Sequence, residues 1–501
     1  MSYFIRFVTI VLFFLIANLQ IFSQSGSQPD DCQCAGIFEE LTTKIESDYV
    51  GYFVEVKGKK EAVYQKHKEK FKKEAEKTPL DKCVFLMQEF IRYFKDGHLF
   101  VSQSPKLTDE QANQLKLSAE KITRSESDIR RYLESNAKNL DPIEGIWFAN
   151  DKNRYAIFRD KKSKKRDFVA ILISEGKERW ETGQVKAEFK KFKDGSYDVV
   201  YYDGKHFPLH PTVYKRGELG GADIRRGLIL GMPPFTWGKE FPQNKEPFNI
   251  LDANDPRRPV LQVIDAENVL ISIPSHSPEY APVLKELVEK NQSQIENAKN
   301  LILDLRGNHG GSSGTTNVLA PFILTSSLNP EKFWVGDESF IVASKQNSRY
   351  FNTGVTQGWL PKNLMLRIEE NTGKLIPLSD TKTETPRPTI KELPKPQNVA
   401  ILMDKGIYSA GEAAILSAMK SKKVTLFGDN TGGMIDYQST SVTLFSKCPA
   451  QGFYLGYPMF AASNRLPLGG INETGIPPDV RIKSTEKSPI GFIINYYKSQ
   501  K

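Results

Sequence analysis

Histidine and cysteine are both scarce in this chain, six and four in 501 residues. No histidine stands at metal-site spacing. Cys32 and Cys34 lack both the usual two-residue gap and a second matching pair, which excludes a zinc motif. Beyond residue 22 no run is long and apolar enough to cross a bilayer. There is no internal repeat, no G-x-G-x-x-G and no P-loop, so the expectation is a protein without metal, nucleotide or other cofactor. The net charge is +9, but the densest basic run, KKSKKR at 161–166, has no interleaved aromatics and lies between two strand-like segments. It reads as a solvated loop, and nucleic acid is not an expected partner.

What is present starts with a leader-like segment. Arg6 precedes a largely apolar run from Phe7 to Ile16, and small or polar residues follow around Ser23. That is the order of a secretory signal peptide, expected over residues 1–24, with an uncleaved anchor as the competing reading. Its removal leaves a chain without a membrane span, placed in the periplasm or secreted. Disulfides are permitted there, and one of Cys32 and Cys34 is expected to pair with Cys83. An apolar fraction of 39% with 26% charged residues is that of a folded, soluble chain, and its length calls for two or three domains.

Residues 25–140 read as a helical region. In CVFLMQEFIRYFKDGH, Cys83, Leu86, Met87, Phe90, Ile91 and Phe94 form a helical stripe. Asp96-Gly97 ends it, which puts His98 on a helix-to-strand turn. Residues 141–240 read as a β-rich module of short segments such as RYAIF and SYDVVYYDG. Its opening Gly145-Ile146-Trp147 resembles the first strand of lipocalin-like barrels. Residues 250–490 alternate strand and helix, the pattern of a parallel sheet covered by helices, with ligands at the C-terminal strand ends. The fold class is therefore α/β, preceded by a helical region and a β-rich module.

Ser409 in KGIYSAGEAA follows one buried strand and opens a helix, where free N–H groups and a positive helix end favour an oxyanion. Ser409-x-x-Glu412 is equally a capping box. Gly411 in the first helical turn is costly there and indicates a close approach to the backbone. After the neighbouring strand, DLRGNHGGSSG could offer Gly310 and Gly311 N–H groups to one side of an oxyanion hole. Asp304, Arg306 and Asn308 are read as loop-shaping residues, and Glu412 as a cap.

LILDLRGNHGG, VAILMDKGIYSAGEAA, GDNTGGM and NETGIPPDV occur in the order seen in the tail-specific, or carboxy-terminal processing, serine peptidases, and residues 260–482 resemble that family. The resemblance implies a crotonase- and ClpP-like core, Ser409 as nucleophile, oxyanion donors at Gly310, Gly311 and Ala410, and a peptide or unfolded protein as substrate. The better-known bacterial branch has a catalytic lysine where this chain has Met434, and a thioether cannot accept the proton. The tricorn-core branch uses an N-terminal histidine and a late glutamate, which implies His98 as base and Glu473 as the acid orienting it. Gly97 replaces that branch's serine before the histidine. His309 and His276 are rivals for the base, since both lie on strand-end loops of the same sheet. No PDZ-type carboxylate-binding loop is found between residues 100 and 250. The competing class is a non-catalytic ligand- or peptide-binding protein on the same fold.

Overall fold

The computed structural model describes residues 32–500 except 151–152, 177–178, 194–196, 210–222, 226–228, 233–234, 243–247, 249–250, 326–338, 359, 380–392 and 473. The leader-like segment and Glu473 thus lie outside the described residues. Three sheets carry the chain.

The sheet that organises the C-terminal half has six strands in the order Val260–Val263, Asn268–Ser272, Asn300–Asp304, Asn398–Met403, Val424–Gly428, Val480–Arg481. All neighbours are parallel except the first pair. The apolar runs of these strands are buried on both sides, as a parallel sheet requires. Leu301, Leu303, Val399 and Ile401 face a core shared with the helices Ala281–Lys290 and Ala410–Ala418. Ile302, Ala400 and Leu402 pack on the other side against Ile490, Ile493 and Ile494 of the helix Pro489–Ser499. The chain is thereby α/β in this half.

The N-terminal helices do not make a core of their own. Cys34–Asp48, Glu61–Ala75 and Cys83–Ile91 bury one continuous cluster with residues from 340–376 and 437–466. Within it lies a five-stranded sheet in which Phe100–Gln103 pairs antiparallel with Phe453–Ala461. Cys34 is bonded to Cys83, and Cys32 to Cys448, 416 positions away. The second bond ties the first described residue to the hairpin strands beside the six-stranded sheet.

Nine antiparallel strands between Gly145 and Phe241 form the third sheet. Alternation puts Trp147, Tyr155 and Ile157 on one face and Ile146, Ala156 and Phe158 on the other, where Ile129 and Leu133 of the helix Glu126–Ser135 cover them. Among the described residues this sheet does not close on itself; Pro208–Leu209 and Asp223–Arg225 are its two edges. The basic run 161–166 is a loop between strands, as read. Its last member is not solvated: Arg166 is buried and donates to Glu120 and Asp160, with Glu188 also in ion-pair range.

Removing the Cys34–Cys83 bond with paired serines is expected to lower the stability of the oxidised protein by about 2–4 kcal/mol. Urea unfolding of the variant against the parent, both without reductant, measures it.

Candidate active site

Three strand ends of the six-stranded sheet converge on Ser409. Asp404, just past Met403, accepts the N–H groups of both Gly406 and Gly307, and so knits the nucleophile's loop to the glycine loop beside it. Asn308 continues this. Its Nδ2 donates to the Ile273 carbonyl, its Oδ1 accepts from the Gly310 N–H at 2.9 Å, and its backbone carbonyl accepts from the Tyr408 N–H. Arg306 forks onto Asp304. These side chains shape the loops.

Held in this way, Ser409 adopts φ 53° and ψ −119°, a conformation that costs a residue with a Cβ about 1–3 kcal/mol. Its side chain makes no capping bond to the helix Ala410–Ala418. The hydroxyl instead meets His98: Nε2 and Oγ are 3.0 Å apart, across 311 positions of sequence. The capping-box spacing is present, yet the serine half of the box is diverted to the imidazole.

His98 arrives from the other end of the chain. The helix Cys83–Ile91 closes with a tight turn, Lys95 takes a left-handed conformation, and Asp96 accepts the His98 N–H at 2.9 Å. The other Asp96 oxygen accepts from the Tyr49 hydroxyl at 2.8 Å. Both Asp96 and Tyr49 are buried. Burial pushes the Asp96 carboxyl up to about 7. Burial also pushes the His98 imidazole down to about 4, opposed by the Tyr437 backbone carbonyl. The ring is therefore neutral at physiological pH, with Nε2 able to take a proton. Asp96 sits two residues before His98, the spacing of an Asx turn, and that is the signal by which it could have been found in the sequence.

The expected oxyanion donors differ in their surroundings. The Gly310 N–H donates to the Asn308 Oδ1. What Gly310 supplies is room, because a Cβ there would lie 2.8 Å from the Ser409 Cβ and 2.9 Å from the Ala410 nitrogen. Gly311 is exposed, and its backbone is bracketed by His276, whose N–H donates to Gly310 and whose carbonyl accepts from Ser312. Neither the Gly311 nor the Ala410 N–H donates to any acceptor among the described residues. Gly411 is close-packed against Asn308 and Ile407, so the approach its position implied is by the neighbouring loop.

The other described histidines have surroundings of their own. His309 packs its ring on Tyr408, and His276 is fully buried. His67 stacks on Phe90 and Tyr93, and His206 on Trp180. Met434 is buried, and its N–H donates to Glu412 at 2.7 Å. Among the described residues no cluster could hold a metal ion.

Residues 269–482 match the family model of peptidase family S41. Over that segment, less than half of the chain, it resembles an S41 peptidase domain, which supports serine peptidase activity on peptides or proteins. No curated protein matches it. Among solved structures it is similar to mature CPAF complexed with lactacystin, at 12% identity over 93% of this chain and 98% of that one, with a TM-score of 0.48. It is similar also to a photosystem II D1 C-terminal processing protease (13%, 90% and 93%, TM-score 0.35) and to a lipoprotein from Streptococcus agalactiae (13%, 95% and 99%, TM-score 0.39). The matched segment begins at 269, so His98 meets Ser409 from outside it.

Two outcomes follow for the peptidase. Gly310→Ala drives a methyl into Ser409, and peptide hydrolysis is expected to fall at least ~100-fold, read as kcat/KM. Asp96 has a raised folded-state pKa, so its contribution to stability is full below the unfolded-state value and is lost as pH rises toward about 7. The stability of Asp96→Asn relative to the parent should therefore increase between about pH 4 and pH 7, measured by thermal unfolding across that range.

Proposed function

We propose that the chain is an exported endopeptidase or carboxypeptidase-like hydrolase working through Ser409, His98 and Glu473. The observation that carries the reading is the 3.0 Å contact between His98 Nε2 and Ser409 Oγ. His98 takes the hydroxyl proton as Oγ attacks the substrate carbonyl, and the developing oxyanion is received by the Gly311 and Ala410 N–H groups. The imidazolium then gives its proton to the leaving amine, and water resolves the acyl-enzyme by the same steps in reverse order. Burial holds the imidazole unprotonated at neutral pH, so its Nε2 is free to accept the proton.

Glu473, in a Glu-x-Gly-x-x-Pro-Asp context, is assigned as the acid that orients His98. The six-stranded sheet is read as the crotonase-like core of this family. Two disulfides and the leader-like first residues support export to the periplasm or the exterior.

A fluorophosphonate probe on the folded protein should label Ser409, located by peptide mass spectrometry, and Ser409→Ala should abolish both the adduct and hydrolysis. His98→Gln should reduce kcat/KM by about 10²–10⁴ while leaving the fold intact. A folded parent that gives no Ser409 adduct would instead make this a non-catalytic binding protein.

A further inference from the structure

Glu412 was legible in the sequence only as a helix cap. In the structure it is fully buried, and its carboxylate accepts from the Thr431 hydroxyl at 2.5 Å, the Gly433 N–H at 2.8 Å and the Met434 N–H at 2.7 Å. Two carboxylate oxygens offer about four acceptor sites, and three of them are filled from the loop after the next strand, Val424–Gly428.

Thr431 passes the connection on. Its Oγ1 accepts from the Ile476 N–H at 2.7 Å, and its own N–H donates to the Ile476 carbonyl. Gly475 lies so close that a Cβ there would be 1.9 Å from the Thr431 carbonyl oxygen. One carboxylate therefore joins the nucleophile's turn, the Thr431–Met434 loop and the segment Thr474–Ile476. Ser409 Oγ does not cap its helix, and the bonds that Glu412 accepts in the first turn of that helix tie the turn to the neighbouring loop instead.

We infer that Glu412 is a positioning residue for the peptidase reaction, holding the Ser409 turn in the register that aims the hydroxyl and the Ala410 N–H at one substrate carbonyl. The inference rests on the reading of Ser409 as nucleophile. Burial pushes Glu412 up to about 7, opposed by the hydrogen bonds it accepts from Thr431, Met434 and Gly433. Protonation would set an O–H donor against N–H donors and loosen the turn. An acid limb near neutral pH is thus expected from Glu412, in the range where Asp96 also titrates, whereas His98 titrates at about 4; the part due to Glu412 is the part that its substitution removes.

The test compares the full chain with Glu412→Gln and Thr431→Val on one peptide substrate, with active sites counted by fluorophosphonate titration. In Glu412→Gln, kcat per titrated site should fall about tenfold or more with KM within about twofold of the parent. The acid limb of its kcat/KM profile should move to lower pH. Thr431→Val, which removes one donor and leaves the carboxylate, should show a smaller fall in kcat and remains informative if Glu412→Gln does not fold. Parental kcat per titrated site and a parental acid limb in the folded variants would overturn the inference. Full activity in Ser409→Ala would overturn the nucleophile reading itself, a result distinct from either.

Discussion

The strand Phe100–Gln103 lies against Phe453–Ala461, and on that pairing depends whether His98 reaches the Ser409 hydroxyl. Ser409, Ala410 and Gly311 follow strands of the six-stranded sheet, but His98 belongs to the N-terminal helical region. The register Phe100↔Gly456 brings the preceding turn over the site. Gly456 permits this closely, since a Cβ there would run into the Phe100 ring at 2.2 Å. Gln88 adds a bond to the Val101 carbonyl, and Asp96 fixes the turn from beneath. Catalysis is thus coupled to the docking of a region whose core is shared with the hairpin strands.

Seen this way, the cysteines have a mechanical place. Cys34–Cys83 joins the first helix to the helix that ends just before His98, and Cys32–Cys448 pins that pair to the turn between the two hairpin strands. Both bonds limit the freedom of the His98-bearing region relative to the strand it must meet. A chain with few cysteines has placed all four where loss of register would separate base from nucleophile.

Much of the α/β half was legible because its strands are apolar runs of five or six residues separated by helices and turn signals. Ser409 was legible as a position but ambiguous as a role, for the capping box and the nucleophile share one sequence. Only the positive φ and the diverted hydroxyl separate them. Gly310 and Gly311 pose a related ambiguity: two adjacent glycines look alike as donors, and it is the Asn308 side chain that accepts from one of them. Asp96, Tyr49 and Glu412 were not legible as a site, because their partners lie in other segments and burial is what gives them their character. Arg166 in the basic run is the same lesson in reverse, a charge turned inward by three acidic partners brought from elsewhere.

The substitution of Met434 for a lysine bears on more than the identity of the base. A lysine there would have to be held neutral by burial, beside a carboxylate that is itself buried. With Met434 the backbone N–H still donates to Glu412, so the loop keeps its bond to the nucleophile's helix while the side chain contributes only apolar volume. On the reading of His98 as base, the proton-accepting group is the imidazole that meets the Ser409 hydroxyl, and burial holds it down at about 4. The carboxylates that hold the two turns, Asp96 on the side of His98 and Glu412 on the side of Ser409, are both pushed up to about 7. The pH at which the turns are held by charged carboxylates and the pH at which the imidazole is free are therefore set by different residues.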